Sequence, residues 1–166
     1  MTEQSETPKP AGQAQTRSGQ LMIQKVYTKD LSFETPHSPQ IFSEDWKPTV
    51  NLQLANHATT HGNDLYEVVL TVTVTVTFAE KTVYLAEVNQ AGIFQVSGFP
   101  ENLKARVLAT MCPNILYPFA REMVSDLVTR GGFPQLLLAP VNFEALYAEQ
   151  VRQQSGDAAN PPAVTH

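Results

Sequence analysis

Two histidines, His57 and His61, have the spacing that most suggests a metal site, because they stand four residues apart. Two imidazoles at that spacing meet on one face of a helix, whereas the surrounding segment ANHATTHGND is polar and contains Gly62. We interpret the segment as a loop, and it offers neither a cysteine nor an evident third ligand for zinc. The sequence therefore predicts two solvated histidines and no metal.

Cys112, the only cysteine, is the next candidate for chemistry. It precedes Pro113 in an apolar run with no histidine beside it, which favours a buried, inert thiol over a nucleophile. The acids Glu101 and Glu122 are isolated and form no pair for acid–base work. The chain also lacks a G-x-S-x-G motif, a phosphate loop and a dinucleotide fingerprint. We predict that the protein is not an enzyme and uses no cofactor.

Composition narrows the class of protein. The chain has 166 residues, 42% of them hydrophobic, which suits one domain with its own core. A net charge of −5 without a basic run argues against nucleic-acid binding. No apolar run reaches the roughly 18 residues of a membrane-spanning helix, and the N-terminus lacks a signal-peptide pattern. We expect a cytoplasmic protein without direct membrane insertion, flanked by disordered polar tails at residues 1–19 and 153–166.

The stretch LTVTVTVTF, residues 70–78, predicts a strand, because valines and threonines alternate with a period of two. The same phase extends upstream to Tyr66. Further strands are predicted over about 21–33, with a possible bulge, over 50–54 and over 82–90. Burying Glu87 would be costly, so a three-residue loop at 79–81 is preferred, which pairs Val74 with Ala86 and Thr73 with Glu87. Short connections favour an antiparallel sheet of four strands.

Helical patterns follow the strands. One helix begins near Pro100 and is interrupted by Pro113. A longer apolar stripe starts at Leu116, with Pro118 in its first turn, and ends at Gly131 and Gly132. Asn142 is a good N-cap for a last, short helix. The predicted fold is α+β: a four-stranded antiparallel sheet with one long helix on one face and a short C-terminal helix.

Two surfaces of this fold need a partner. The first strand has few charges and lies at an edge, so it can pair with its copy in a second subunit and give eight strands. The connection after it carries Ile41, Phe42 and Trp46, an unusual apolar load for a loop. Such a cluster indicates either a binding groove or a loop that completes the core. The pattern alone leaves both alternatives open.

Four segments together resemble the SecB family of bacterial protein-export chaperones. They are VYTKDLSFETP (26–36), YEVVLTVTVT (66–75), CPNILYPFARE (112–122) and GGFPQLLLAPVNFEALY (131–147), and the match spans about 21–152. The resemblance implies a homotetramer, a dimer of dimers with eight-stranded sheets and the long helices between them. It also implies an ATP-independent holdase that keeps preproteins unfolded and delivers them to the translocase ATPase SecA.

The resemblance assigns residues to three sites. Family positions for SecA binding match Asp30, Glu34, Leu85 and Glu87, and positions tied to tetramer packing match Ala86, Val88 and Gln90. The implied preprotein groove runs between the crossover loop and the last helix, where we select Phe42, Trp46, Leu52, Leu54, Phe143 and Leu146. Ordinary core packing is the alternative for these six. Ala86 stands where a cysteine is common, and the C-terminal tail is less acidic than in many relatives.

Two other functions stay open. The first is a SecB-like chaperone that serves a toxin–antitoxin system, against which the residues matching the SecA site argue. The second is a homo-oligomeric protein that binds a small molecule in the same groove.

Overall fold

The computed structural model describes residues 18–45 and 47–157. Its four strands form one antiparallel sheet, as predicted, and they lie side by side in the order first, fourth, third and second along the chain. Within the described residues no helix is long and apolar enough to cross a membrane. The elements in chain order are β1 (Gln20–Glu34), a 3-10 helix (Gln40–Ser43), β2 (Thr49–Gly62), β3 (Leu65–Phe78), β4 (Lys81–Ser97), α1 (Glu101–Ala109), α2 (Met111–Arg130) and α3 (Phe143–Asp157).

The valine face of β3 forms the centre of the core. The long helix α2 packs on this face, where it contacts β3 and β4. Each fully buried aliphatic side chain contributes about 1.5–3 kcal/mol, so this layer dominates the stability of the protomer. The prediction of one long helix on one face of the sheet is confirmed. Fully buried side chains on the face are Val68, Leu70, Val72, Val74 and Val76 from β3, with Ala86 and Val88 from β4.

The predicted register between β3 and β4 is confirmed, with Val74 opposite Ala86 and Thr73 opposite Glu87. The predicted three-residue loop is wrong. Phe78 pairs with Lys81, so the turn itself contains only Ala79 and Glu80, whose φ angles of 47° and 62° are typical of a type I′ turn. The extra residue that we placed in the loop is instead Val83, which lies at a register shift in β4. A bulge and an odd loop change strand parity in the same way.

The segment that we interpreted as a polar loop is part of β2. This strand continues through His57 to Gly62, and the turn that follows contains only Asn63 and Asp64. The strand is polar there because β2 is an edge strand with most of its residues exposed. Likewise β4 continues past Gln90 to Ser97. In the described part of the chain, no group of three His, Cys, Asp or Glu side chains could hold a metal ion.

The long helix begins earlier than predicted. It starts at Met111, which puts Pro113 in the first turn and Pro118 in the interior. The predicted first-turn place for Pro118 is therefore wrong. Proline costs helix stability by removing one N–H donor, and here tertiary packing offsets this cost, because Leu116 and Ala120 are fully buried on either side of Pro118.

The predicted end of the long helix and the predicted start of the last helix are confirmed. Gly132 has a φ of 87°, and its N–H donates to the Thr129 carbonyl at 3.1 Å, while the Phe133 N–H donates to the Val128 carbonyl at 3.2 Å. This pair of hydrogen bonds is a Schellman motif, in which glycine is the preferred residue at the position with positive φ. At α3, the Asn142 Oδ1 accepts a hydrogen bond from the Ala145 N–H at 3.0 Å. Helix α3 continues to Asp157, past the predicted domain end at 152; Trp46 and the ranges 1–17 and 158–166 lie outside the described residues.

Candidate functional site

An apolar trough runs along the inner face of β2. Helix α2 packs mainly on β4 and β3, and β2 is contacted mainly by the short helix α1, so the inward-facing side chains of β2 are only partly covered. Val50 is 44% exposed and Leu52 is 36% exposed, although they pair with the buried Val76 and Val74. We call this surface the β2 trough; its floor consists of Val50, Leu52 and Leu54.

One end of the β2 trough is a groove of about 710 Å³ between β2, α1 and α3. The structure brings together here three of the predicted groove residues, Leu54, Phe143 and Leu146. They differ in exposure, because Leu146 is half-exposed whereas Phe143 is buried. Phe143 packs edge-on against Tyr117 with ring centroids 5.9 Å apart. Phe143 is thus mainly a core residue that fixes the start of α3.

The other end of the β2 trough is a second cavity of about 430 Å³, lined by Phe42 and Val50. Phe42 is half-exposed, and its ring centroid lies 5.1 Å from that of Phe133. Phe133 in turn lies 4.8 Å from Tyr84. Leu52 lies between the two cavities on β2, so the predicted residues within the described range share one face. The predicted Trp46 lies outside the described residues.

Sequence reasoning missed Val50, Tyr84 and Phe133 as parts of this surface. Phe133 directly follows the glycines that end α2, and an aromatic residue after a Schellman cap commonly packs back on the helix. That signal was available in the sequence. The ring of Phe33 also occupies the space that a Cβ on Gly131 would need. The glycine therefore lets the edge strand β1 approach the end of α2 closely.

The four predicted SecA-binding residues lie together on the opposite, outer face of the sheet. Glu34 pairs directly with Leu85, and Asp30 pairs with Asn89 next to Glu87. Directly paired residues share a face. We call this surface the docking face; it consists of Asp30, Glu34, Leu85 and Glu87, with the threonines of β3 beside them.

The docking face has a fixed hydrogen-bond pattern. Thr73 Oγ1 donates to Glu87 Oε2 at 3.0 Å, and Thr71 Oγ1 donates to Asn89 Oδ1 at 2.6 Å. The threonines thus orient the polar side chains of β4 as well as keeping the face free of apolar patches. Asp30 and Glu34 on the edge strand are exposed. The arrangement presents three carboxylates around one leucine, which suits a partner with basic and apolar groups.

The three residues matched to tetramer packing lie inside the protomer. Ala86 and Val88 are fully buried under α2, and Gln90 is 3% exposed. These side chains reach no outer surface of the protomer. An effect on assembly would therefore act through the position of α2. Gln90 also has a local role, since its Nε2 donates to the backbone carbonyl of Tyr27 at 2.9 Å.

A polar cluster that sequence reasoning missed crosses the outer face from β1 to β3. Lys29 Nζ donates to both carboxylate oxygens of Glu67, at 2.9 and 2.8 Å, and the Tyr27 hydroxyl donates to Glu67 Oε1. The Lys29 ammonium, followed by the Tyr27 hydroxyl, lowers the pKa of the Glu67 carboxyl below its usual value of 4.5. The hydrogen bond from the Tyr27 hydroxyl to Glu67 raises the pKa of Tyr27 to about 12. Glu67 is thus held ionised between two donors.

The comparisons with known proteins agree with this architecture. The family model for "Preprotein translocase subunit SecB" matches residues 13–154. A protein-export protein SecB from Nitrosococcus oceani is 55% identical over 148 residues, which cover 87% of this chain and 90% of the relative. A protein-export protein SecB from Methylococcus capsulatus is 54% identical over 144 residues, covering 86% and 93%.

Among solved structures, a SecB-like chaperone from Mycobacterium tuberculosis, in complex with a peptide from an antitoxin, is similar in fold. It has a TM-score of 0.62 and 19% identity, and the match covers 74% of this chain and 91% of that chain. At this identity the likeness supports the fold alone. The two bacterial relatives and the family match, by contrast, cover most of the sequence. The chain belongs to the SecB family of protein-export chaperones.

Proposed function

We propose that this protein is an ATP-independent holdase that keeps preproteins unfolded in the cytoplasm and delivers them to SecA. A role as a protein-export chaperone follows from its family. The single observation that supports the holdase mechanism is the β2 trough, an open apolar surface with half-exposed Val50, Phe42 and Leu146. We propose that it works without a catalytic step or a cofactor.

The shape of the β2 trough suits an unfolded chain. It is apolar along its floor, and a chain in extended form presents apolar side chains at regular intervals that a trough along a strand can accept. Specific small-molecule sites instead combine an enclosed pocket with a few convergent polar groups. The floor of the trough is aliphatic at Val50, Leu52 and Leu54, and the polar side chains at its ends, such as Asn56 and Glu44, belong to two separate cavities. This favours client binding over binding of a metabolite.

A charge placed on the floor of the β2 trough tests this proposal. We expect Leu52→Asp to reduce the affinity for an unfolded preprotein about tenfold, because an apolar client side chain would then desolvate a carboxylate. The matched control is Gln53→Asp, which adds the same charge to the outer face of the same strand. The measurement is suppression of preprotein aggregation without nucleotide, with binding by calorimetry. Equal holding by Leu52→Asp and the wild type would exclude the trough as the client site.

We further propose that SecA binds the docking face. Three exposed or half-exposed carboxylates around Leu85 attract a basic partner, and Leu85 adds apolar area at their centre. Asp30→Lys and Glu87→Lys should each weaken SecA binding by about tenfold or more, because they replace attraction with repulsion. The control, Glu80→Lys, makes the same change in an exposed turn. Client holding should not change, and unaltered SecA affinity in both docking-face variants would refute the assignment.

The assembly is also part of the proposal. We infer a homotetramer in which β1 pairs with its copy to give eight-stranded sheets, and in which two such dimers meet through α2. The support is apolar surface that the protomer leaves uncovered. Leu31 on β1 is 43% exposed, Phe119 on α2 is 50% exposed, and Leu137 after α2 is 65% exposed. Surfaces of this kind on a stable protein mark contacts with other chains.

A role in a toxin–antitoxin system is the less favoured alternative. The antitoxin peptide belongs to the structure of the Mycobacterium tuberculosis chaperone, which shares 19% identity with this chain. The relatives at 55% and 54% identity are protein-export proteins, and the docking face carries the residues matched to SecA. We therefore propose the export role for this chain.

A further inference from the structure

The position of two docking-face carboxylates depends on one extra residue in β1. Ahead of this residue, Tyr27 faces outward opposite Ala91; after it, Asp30 faces outward opposite Asn89. Strand alternation alone would turn Asp30 inward, since side chains change face at every residue. Lys29 lies at the register shift between Thr28 and Asp30 and restores the outward orientation.

The bulge at Lys29 is held from both faces of the sheet. On the inner face, the buried amide of Gln90 donates to the carbonyl of Tyr27 at 2.9 Å, which satisfies an acceptor next to the bulge. On the outer face, Glu67 accepts hydrogen bonds from Lys29 and Tyr27. Glu67 lies on β3, so this contact crosses the whole width of β4. We call these four residues the bulge clamp: Tyr27, Lys29, Glu67 and Gln90.

The clamp explains why an amide is buried in an apolar layer. A buried polar group costs free energy unless it is hydrogen-bonded, and Gln90 is only 3% exposed, opposite the fully buried Leu70 of β3. A role in core packing alone would be filled as well by an aliphatic side chain. Gln90 is instead used where a bulge leaves a strand carbonyl for a side chain to bind.

We propose that the bulge clamp consists of positioning residues for the docking of SecA: it holds the bulge that places Asp30 and Glu34 on the docking face. The inference rests on the proposed function of that face. None of the four clamp residues needs to contact SecA. They act by fixing the phase of the last part of β1 relative to Leu85 and Glu87 on β4.

Two substitutions distinguish a positioning role of the bulge clamp from a direct effect of its charges on SecA binding. Tyr27→Phe removes only a hydroxyl and leaves the charge unchanged. Lys29→Met removes a positive charge, so a docking face that responds only to charge would bind a basic partner more tightly. The clamp predicts the opposite sign: both variants should weaken SecA binding about threefold to tenfold. Lys25→Met is the matched control, because Lys25 also faces outward on β1, opposite Ile93, and makes no contact with Glu67 among the described hydrogen bonds and ion pairs.

A double-mutant cycle measures the coupling between Lys29 and Asp30 in SecA binding, which a general loss of stability would not produce. If Lys29 acts through Asp30, then Lys29→Met should cost little further SecA affinity in an Asp30→Asn background. Client holding should stay as in the wild type. Tighter binding by Lys29→Met, additive losses in the cycle, or an equal loss in Lys25→Met would each overturn the inference. If Asp30→Lys weakens SecA binding but both clamp variants keep wild-type affinity, the inference is also overturned. If neither Asp30→Lys nor Glu87→Lys has an effect, the proposed docking face itself is wrong.

Discussion

Cys112 shows how its surroundings decide what a reactive residue can do. Its thiol is fully buried, and this burial raises its pKa from 9.0 to about 12. The thiolate is the nucleophilic form of cysteine, so at neutral pH the folded protein presents almost none of it. The prediction of a buried thiol is confirmed, and its inertness follows from the same burial.

Thiol reagents test this directly. We expect the native protein to react with a thiol-specific chromogenic reagent at pH 8 at least about a hundredfold more slowly than the protein in denaturant. The raised pKa also fixes a pH dependence: the stabilising effect of the neutral buried thiol is complete below pH 9.0 and is lost as the pH rises towards 12. Fast labelling of the native protein, without unfolding, would contradict the burial of Cys112. A Cys112→Ser variant is the blank for the assay.

At the scale of elements, the two hairpin turns differ in how well their residues suit the backbone. Both turns have two residues with positive φ: Asn63 and Asp64 at 51° and 58°, and Ala79 and Glu80 at 47° and 62°. Asn and Asp tolerate this conformation, whereas Ala and Glu are strained in it. The turn between β3 and β4 therefore carries a local cost that the long strand pairing offsets.

Replacing the strained turn should stabilise the protein. We expect the double substitution Ala79→Asn and Glu80→Gly to raise the free energy of unfolding by about 1 kcal/mol, because Asn-Gly is the preferred type I′ pair. Chemical denaturation monitored by circular dichroism gives the measurement. In the other hairpin, Asn63→Ala should have the opposite effect. No gain from the first change would mean that the turn is not under strain.

Some features of the strands and helices could be predicted from the sequence, and others could not. The strand β3 and the two faces of β4 were predictable, because a strict alternation and the cost of burying Glu87 fix which side chains of β4 share the valine face. The course of β2 beyond Leu54 and the interior place of Pro118 were not. An edge strand looks like a loop when few of its residues are covered, and a proline in a helix is tolerated only because of packing that no local pattern records.

The candidate site was predictable to a similar extent. The docking face followed from the resemblance and the predicted register, which together put Leu85 and Glu87 on the threonine face. The clamp was not predictable, because it depends on which residue of β1 forms the bulge. Val50, Tyr84 and Phe133 join the β2 trough from three separate segments. Only the folded chain brings these segments together.

At the scale of the whole molecule, the protomer leaves apolar surface uncovered on α2. Phe119 is 50% exposed and Met111 is 47% exposed, on the side of the helix away from the sheet. Burying such residues between subunits would stabilise an assembly of dimers. The proposed tetramer therefore predicts a definite mass for the assembly.

Native mass spectrometry tests the assembly. We expect a mass near four times 18.3 kDa for the wild type. Phe119→Glu should shift the population to about half that mass, because a carboxylate would be buried between the dimers. Glu80→Gln, in the exposed turn between β3 and β4, should leave the mass unchanged. A stable monomer in the wild type would contradict both the edge pairing of β1 and the contact through α2.

The openness of the β2 trough has a consequence for which proteins are held. A shallow surface binds a short peptide weakly and releases it quickly. In the proposed tetramer, a long flexible chain bound in one trough is kept at a high effective concentration near the troughs of the other subunits, so its total affinity can rise by about two to four orders of magnitude. A folded protein cannot span several troughs. The molecule can thus select its clients by length and flexibility, with no need to recognise a particular sequence.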